Sequence, residues 1–430
     1  MIMRSFFHHL KSFAYLPLAR YFAFWAGIRL RRWNPTVVTV VGSTGKTTLL
    51  HLIEAQLGNQ ARYSHGANSA FGIPFHILGI ERKRFYHWPL LFLLAPLAAY
   101  RPVRREEIYV TEADADRPGE GQLLAKLLKP HILVWLSLDE AHGVKYDYLT
   151  AHNLSPAQQV RAVKEEMAHE FGFFVAAASQ LVILDQDNEL IVRQARRAKK
   201  LIGWMTNRDF KNTEVAQDRV LFPLLQGTAR IPALIPIEAG CAVAAAVKVA
   251  EFLGVKPDLD FTAFSLPPGR SSVFRGRHDT TLIDSTYNAT IGGMAAMLGL
   301  FARYPAKGPK WLVLGDMVEQ GKSEAAQHRT LAEYIFPVKP EHIVLVGPRL
   351  REHTKPLLET QYTERVVSVA TPGEAYAYLE KELRGGETIL FKGARYLEGI
   401  VEKFLDDPAD AARLCRRGPA WNRKRKKWGV

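Results

Sequence analysis

Short, almost continuously apolar runs alternate along this chain with stretches of helical length. Val37-Val-Thr-Val-Val41, Ile108-Tyr-Val-Thr111, Ile132-Leu-Val-Trp-Leu136 and Leu181-Val-Ile-Leu184 lack the strict polar alternation of a strand with one wet face. They read as strands buried on both faces, the pattern of a parallel sheet covered by helices. An alanine-rich helix from Cys241 to Leu253 closes this region, and Leu266-Pro-Pro-Gly269 reads as a linker, so a domain boundary is expected near residue 266. The alternation restarts beyond it, with strands expected at Thr281-Leu-Ile283, Trp311-Leu-Val-Leu314, His342-Ile-Val-Leu-Val346 and Thr388-Ile-Leu-Phe391. The expected fold is α/β: a central domain with a parallel sheet over 36–265, then a smaller Rossmann-like C-terminal domain over 266–408. The second domain carries no G-x-G-x-x-G fingerprint, so no dinucleotide is assigned to it.

Three segments stand outside this alternation. Before Glu54 there is no acidic residue, and over residues 1–35 Arg4, Lys11, Arg20, Arg29, Arg31 and Arg32 are interleaved with Phe6, Phe7, Phe13, Tyr15, Tyr21, Phe22, Phe24 and Trp25. Such a basic, aromatic helix suits a membrane interface, and packing on the protein's own core is the equal alternative. An apolar insertion over 82–105, centred on Trp88 to Tyr100 and flanked by Arg82, Lys83, Arg84, Arg101, Arg104 and Arg105, is shorter than the roughly 20 residues a spanning helix needs. The tail, 409–430, ends in a basic cluster suited to anionic headgroups, to nucleic acid or to plain solvent; its sparse aromatics do not favour nucleic acid.

The chain has 430 residues, 47% hydrophobic and 23% charged, with a formal net charge of +14, which is ordinary for a globular protein of two or three domains. Its two cysteines, Cys241 and Cys415, argue neither a disulfide framework nor a four-ligand zinc site. The expected location is the cytoplasm, with peripheral association at the inner face of the membrane. Arg20 interrupts the apolar N-terminal run, so a signal peptide is a poor fit.

The chemistry is concentrated in Gly42-Ser43-Thr44-Gly45-Lys46-Thr47-Thr48, directly after the Val37 strand. Glycines there let backbone N–H groups face a phosphate, and the following helix offers its positive N-terminus. Lys46 would neutralise β- and γ-phosphate oxygens, and Thr47 would place its hydroxyl on Mg²⁺, so ATP and Mg²⁺ are the expected nucleotide and metal. The general pattern wants glycine at position 40, where this chain has Val40; the shortened form narrows the family. Glu112 and His142, each following a strand, are candidate metal partners: a carboxylate suits Mg²⁺ and the histidine suggests a second metal position.

These residues resemble the Mur ligase family, ATP-dependent amide-forming enzymes of peptidoglycan precursor synthesis, and within it the MurF branch, which adds D-alanyl-D-alanine. The resemblance rests on Gly42 to Thr48, Gly66-Ala-Asn-Ser-Ala-Phe-Gly-Ile-Pro74, Glu112-Ala-Asp-Ala-Asp-Arg-Pro-Gly-Glu120, Ala141-His142 and Val163-Lys-Glu-Glu166. It continues through Gly269-Arg270, Asp284-Ser-Thr-Tyr-Asn-Ala289, Leu314-Gly-Asp-Met317 with His328, and Lys392-Gly-Ala-Arg395. It implies that Lys164 becomes carbamylated and serves the metals beside Glu112 and His142. It also implies that Arg270 and Asp284, with Tyr287 and Asn288, reach ATP from the C-terminal domain, and that closure about Pro267-Pro268 shields an acyl phosphate from water.

Three departures qualify it. The phosphate loop begins about forty residues in, so the family's separate uridine-binding N-terminal domain is not expected here; Ile237-Glu-Ala-Gly-Cys241 lacks the His and Asn expected near adenine, and Asp185 stands where an Asn is expected. The substrates implied are a muropeptide precursor, carried on uridine diphosphate or lipid, and an amino acid or dipeptide. Polyglutamate-type addition and an inactive nucleotide-binding scaffold at the membrane are the alternatives.

Overall fold

The computed structural model describes residues 2–81, 88–103, 105–138, 155–318 and 323–430, and of residues 2–14 the backbone alone. The chain divides into two compact units, residues 1–209 with 241–258, and residues 210–240 with 259–430. The sequence placed one boundary near residue 266; the units change over at 210, 241 and 259.

In the first unit α1 (Ile2–Trp33) leads into β1 (Thr36–Val41), α2 (Lys46–Leu57), β2 (Ala61–Tyr63), α3 (Gly72–Leu78) and α4 (Trp88–Ala99). There follow β3 (Ile108–Glu112), α5 (Glu120–Leu128), β4 (Ile132–Trp135), α6 (Pro156–Ala177), β5 (Leu181–Asp185), α7 (Glu189–Ala195) and β6 (Leu201–Met205). The sheet is parallel throughout, in the order β2-β3-β1-β4-β5-β6. All residues of β3, β4 and β5 are buried, as strands covered on both faces must be. β1 lies between β3 and β4, so the strand order reverses around it and the carboxyl ends of these three strands open one crevice.

The second unit begins with a meander of β7 (Glu214–Val215), β8 (Val220–Leu224) and β9 (Gly227–Ile231), which the sequence reading did not anticipate. β7 and β9 are short or carry exposed polar residues, while the apolar run of β8, Val220-Leu-Phe-Pro-Leu224, holds a proline that reads against a strand. α8 (Gly240–Phe252) is the expected alanine-rich helix and lies in the first unit from Cys241 onward. Then come β10 (Ser272–Arg275), β11 (Thr281–Ser285), α9 (Ile291–Arg303), β12 (Lys310–Gly315), α10 (Glu324–Ile335), β13 (His342–Val346), α11 (Lys355–Tyr362), β14 (Val366–Val369), α12 (Pro372–Glu382), β15 (Thr388–Lys392), α13 (Glu398–Phe404) and α14 (Pro419–Lys426). Their sheet runs β10-β11-β15-β12-β13-β14, parallel except for the edge strand β10.

From Tyr15 onward α1 packs one face into the core of the first unit. Ala19, Phe22, Ala26, Leu30 and Trp33 are buried, and the Phe22 ring meets Phe75 edge-on at a centroid distance of 4.8 Å. α1 also completes α4. Pro96 has no N–H, so the Phe92 carbonyl four residues earlier loses its helical donor. The Tyr21 hydroxyl donates to that carbonyl at 2.6 Å. At the other end of α4, Arg29 donates to the carbonyls of Ala98 and Pro102, and Arg32 to those of Ala99 and Arg101, satisfying acceptors that a helix terminus leaves open.

The basic tail is likewise folded onto its own unit. Arg416 pairs with the buried Glu398 at 3.0 Å, and Arg417 and Arg425 both pair with Glu402, at 2.9 and 2.6 Å. Two carboxylates on α13 thus draw in three of the arginines, while Arg423, Lys424, Lys426 and Lys427 stay exposed.

Tyr21→Phe should leave the Phe92 carbonyl unpaired inside the α1/α4 contact while keeping the ring. The expected cost is about 1–2 kcal/mol, a fall of roughly 3 °C in the unfolding midpoint by calorimetry. An unchanged midpoint would remove α1 from the support of α4.

Candidate functional site

The phosphate loop forms because β1 ends at Val41 and two glycines reverse the chain. Gly42 has φ 135° and Gly45 φ 82°, conformations that a side chain resists. A Cβ on Gly42 would lie 3.0 Å from the backbone N and O of Ser137, so the close approach also requires glycine. Ser137, just beyond β4, clasps the loop: its carbonyl accepts from Ser43 N at 3.1 Å and its hydroxyl from Thr44 N at 3.0 Å. α2 begins at Lys46, with Thr47 and Thr48 half-buried in its first turn.

Lys46 is buried and bonded within the loop. Its Nζ meets Asp114 Oδ1 at 2.8 Å and donates to the carbonyls of Gly42 and Ser43. Beside it, Thr47 Oγ1 donates to Glu112 Oε2 at 3.1 Å, and Glu112 is itself buried. β3 ends at Glu112, so β1 and β3 deliver the two groups to one point through their parallel register. A hydroxyl and a carboxylate oxygen side by side are the hard donors that Mg²⁺ takes, so these residues fit the metal. Lys164 is half-buried on α6. His142 lies outside the described residues.

In the second unit the carboxyl ends of β11 and β15 gather a second set. Asp284 on β11 is fully buried; its Oδ1 accepts from Thr286 N at 3.1 Å and Thr286 Oγ1 at 2.7 Å, while Oδ2 has no hydrogen-bond partner among the described residues. Burial raises its pKa above the ordinary carboxylate range, against the opposing charges of Arg416 and Lys392. Lys392, at the end of β15, donates to the Asn288 carbonyl at 2.8 Å. Burial, then the charge of Arg270, lowers its pKa to about 8. The Arg270 guanidinium lies over the Tyr287 ring, 4.8 Å from its centroid, and both Tyr287 and Asn288 present exposed side chains. The structure therefore brings Arg270, Asp284, Tyr287 and Asn288 together on one loop-and-strand-end cluster.

Arg416 in the tail backs this loop, donating to the carbonyls of Thr286 at 3.1 Å and Tyr287 at 2.9 Å. His328 proves to be structural. Its Nε2 accepts from Met317 N at 3.2 Å, which leaves Nδ1 to donate to the Glu324 carbonyl at 2.7 Å. Burial holds its pKa below the ordinary value, consistent with a neutral ring bridging the end of β12 and α10. Asp316, after β12, is buried against Arg395 at 3.0 Å and Arg349 at 3.4 Å.

Asp114, Ser137, Lys392 and Arg416 were given no role from sequence. The acidic alternation Glu112-Ala-Asp114 after a strand could have flagged Asp114, and Lys392-Gly393 after a strand could have flagged Lys392. Ser137 and Arg416 act through backbone groups distant in sequence and leave no pattern. Asp185 accepts from Asp187 N at 2.9 Å, and Cys241, at the start of α8, is buried with its thiol pushed up to about 12, so neither restores the expected His and Asn.

Known proteins resemble this chain in sequence and in fold. Residues 269–395 match the family described as Mur ligase, glutamate ligase domain. The UDP-N-acetylmuramoyl-tripeptide--D-alanyl-D-alanine ligase of Bacillus subtilis is 24% identical over 391 residues, spanning 88% of this chain and 78% of its own. Among solved structures, MurF from Acinetobacter baumannii superposes with a TM-score of 0.68 at 21% identity, covering 90% of this chain and 80% of that one. MurF ligase from Thermotoga maritima, solved in complex with ADP, gives a TM-score of 0.68 at 20% identity over 90% and 83%. The chain thus has the α/β architecture of the Mur ligases. Within that class its likeness is to MurF-type ligases, in sequence across most of its length and in fold.

Proposed function

We propose that the protein is an ATP- and Mg²⁺-dependent, ADP-forming ligase of peptidoglycan precursor synthesis that joins a muropeptide carboxylate to D-alanyl-D-alanine or a similar amine. The observation that carries this reading is the meeting of the phosphate loop, its lysine and the Thr47–Glu112 oxygen pair at the carboxyl ends of β1 and β3. A carboxylate oxygen of the acceptor attacks the γ-phosphorus and the bond to the β–γ bridging oxygen breaks, giving an acyl phosphate and ADP. The amine nitrogen then attacks the acyl carbon, the carbon–oxygen bond to phosphate breaks, and the amine loses a proton.

In the first step one anion approaches another, so the barrier falls when fixed positive charge faces the phosphate oxygens. Lys46 would supply it by exchanging Asp114 for phosphate oxygens, with Gly42, Ser43, Thr44, Gly45 and Thr48 shaping the loop and the first turn of α2 directing N–H groups at the anion. Magnesium held by Thr47 and Glu112 would screen the same charge. Lys164, in carbamylated form, and His142 are proposed as further metal partners by resemblance. By resemblance, Arg270, Asp284, Tyr287 and Asn288 are proposed as ATP-binding groups, and Asp284 Oδ2, without a hydrogen-bond partner among the described residues, is an open position for a hydroxyl or amino group.

A second element of the proposal concerns where the protein works. Leu90, Leu93 and Leu97 recur at helical spacing on the solvent side of α4, with Leu93 69% and Leu97 68% exposed, and Tyr100 is exposed just beyond its end. On α1, Phe24 is exposed between Arg20 and Arg31, and Arg101 and Arg105 are exposed beyond α4. Among the described residues no helix is long and apolar enough to cross a membrane. An apolar stripe rimmed by arginines suits shallow insertion into an anionic bilayer surface, which would hold the enzyme where a lipid-linked acceptor is found.

Purified protein given ATP, Mg²⁺ and D-alanyl-D-alanine should release ADP and form a new amide only when the uridine-diphosphate muramyl-tripeptide acceptor is added, and Lys46→Ala should abolish both. Release without acceptor dependence, or equal release by Lys46→Ala, would contradict the ligase reading. In vesicle flotation, the protein should rise with anionic but not zwitterionic liposomes, and the double substitution Leu93→Asp, Leu97→Asp should leave it at the bottom. Flotation unaffected by that substitution would remove α4 from the membrane contact.

A further inference from the structure

A second constellation of ligating groups lies on the same helix as the phosphate loop, one turn further along. His51 and Glu54 share a face of α2 through their i, i+3 spacing, and His65 follows the end of β2. One carboxylate oxygen serves both rings: Glu54 Oε2 is 3.2 Å from His51 Nδ1 and 2.9 Å from His65 Nε2. The two imidazoles stack at a centroid distance of 4.6 Å with planes 23° apart, and one donor atom from each of the three residues falls within 4.8 Å of the others. Among the described residues no other group of three His, Cys, Asp or Glu side chains meets this condition.

We propose that His51, Glu54 and His65 bind one divalent transition-metal ion of the zinc type, separate from the magnesium position at Thr47 and Glu112. The donor set selects the class. Two imidazole nitrogens and one carboxylate suit zinc and its neighbours, whereas Mg²⁺ prefers oxygen donors throughout. Three protein ligands leave a coordination position for water, and the half-exposed His65 side chain leaves a path for the ion to enter. Zinc–nitrogen and zinc–oxygen bonds of about 2.0–2.2 Å bring tetrahedral donors to roughly 3.3 Å from one another, so the two separations from Glu54 lie near that value and the third donor pair must draw closer on binding.

Both ends of the site are anchored. His51 and Glu54 sit on a helix whose opposite face is buried, and Tyr63 and Ser64, immediately before His65, pair with Val110 of β3. The Tyr63 hydroxyl adds a bond to the Gly58 carbonyl at 2.8 Å. An ion there staples α2 to the segment leaving β2, with His51 one helical turn and Glu54 two turns beyond Thr47. The inference is independent of the ligase reading.

Equilibrium dialysis of the untagged full chain against Zn²⁺, with Mg²⁺ in large excess to fill oxygen sites, tests it. The expected result is one zinc per chain, with affinity reduced more than about 100-fold by Glu54→Gln and by His65→Ala, beyond the cost of losing an outer-shell partner. Zinc should raise the unfolding midpoint of the native sequence and not that of the two variants. Cobalt(II) in place of zinc should give a visible absorption band that both variants lose. Absence of zinc binding, or binding that survives both substitutions, would overturn the site and leave a hydrogen-bonded trio. Glu54→Gln preserves side-chain shape, so its loss of binding does not depend on His65→Ala folding normally.

Discussion

The phosphate loop depends on one buried ion pair. Lys46 is buried at the start of α2, and a buried cationic side chain is costly unless it is paired and hydrogen-bonded. Asp114 at 2.8 Å and the carbonyls of Gly42 and Ser43 supply the compensation. The surroundings follow from that pair. β3 must run parallel to β1 to deliver Asp114, the same strand end then delivers Glu112 to Thr47, and Ser137 from the far side of β1 holds the glycine turn in place. A phosphate group arriving at this loop competes with a carboxylate for a lysine already positioned, so the nucleotide meets a shaped receptor.

The second unit balances the opposite charge. Asp284 is sealed at the end of β11 with one oxygen unpaired, and Lys392 and Arg416 counter it from β15 and from the tail. Arg416 also fixes the Thr286 and Tyr287 carbonyls, so the tail helps to shape the loop that carries Tyr287 and Asn288. That is why three of the tail's arginines are anchored on α13, although their composition alone suited a solvated or lipid-facing end. α1 has a comparable role in the first unit, where its tyrosine and arginines satisfy carbonyls that α4 cannot satisfy itself.

Local pattern carried much of this. The central strands of both sheets are near-continuous apolar runs because both faces are covered, and the phosphate loop is readable because glycine, lysine and threonine must stand at fixed offsets. The edge strands β2, β6, β10 and β14 and the meander β7 to β9 escaped, since they are short or only partly buried and, in β8, interrupted by a proline. The same distinction divides the candidate site. Lys46, Thr47 and Glu112 lie beside glycine turns or strand ends and were named in advance. Asp114, Lys392 and Arg416 act through partners from 68 to 130 residues away, or through burial, and such pairings exist only once the chain has folded.

Isothermal titration of Mg²⁺·ATP into the native protein and into Lys46→Ala, with circular dichroism to establish that both are folded, asks whether the nucleotide engages the phosphate loop. The account predicts saturable binding by the native chain and a loss of roughly 100-fold or more in the variant, the scale expected when a buried charge-assisted contact to phosphate is removed. Equal affinity in two folded proteins would mean that the nucleotide does not engage this loop, and would contradict the account.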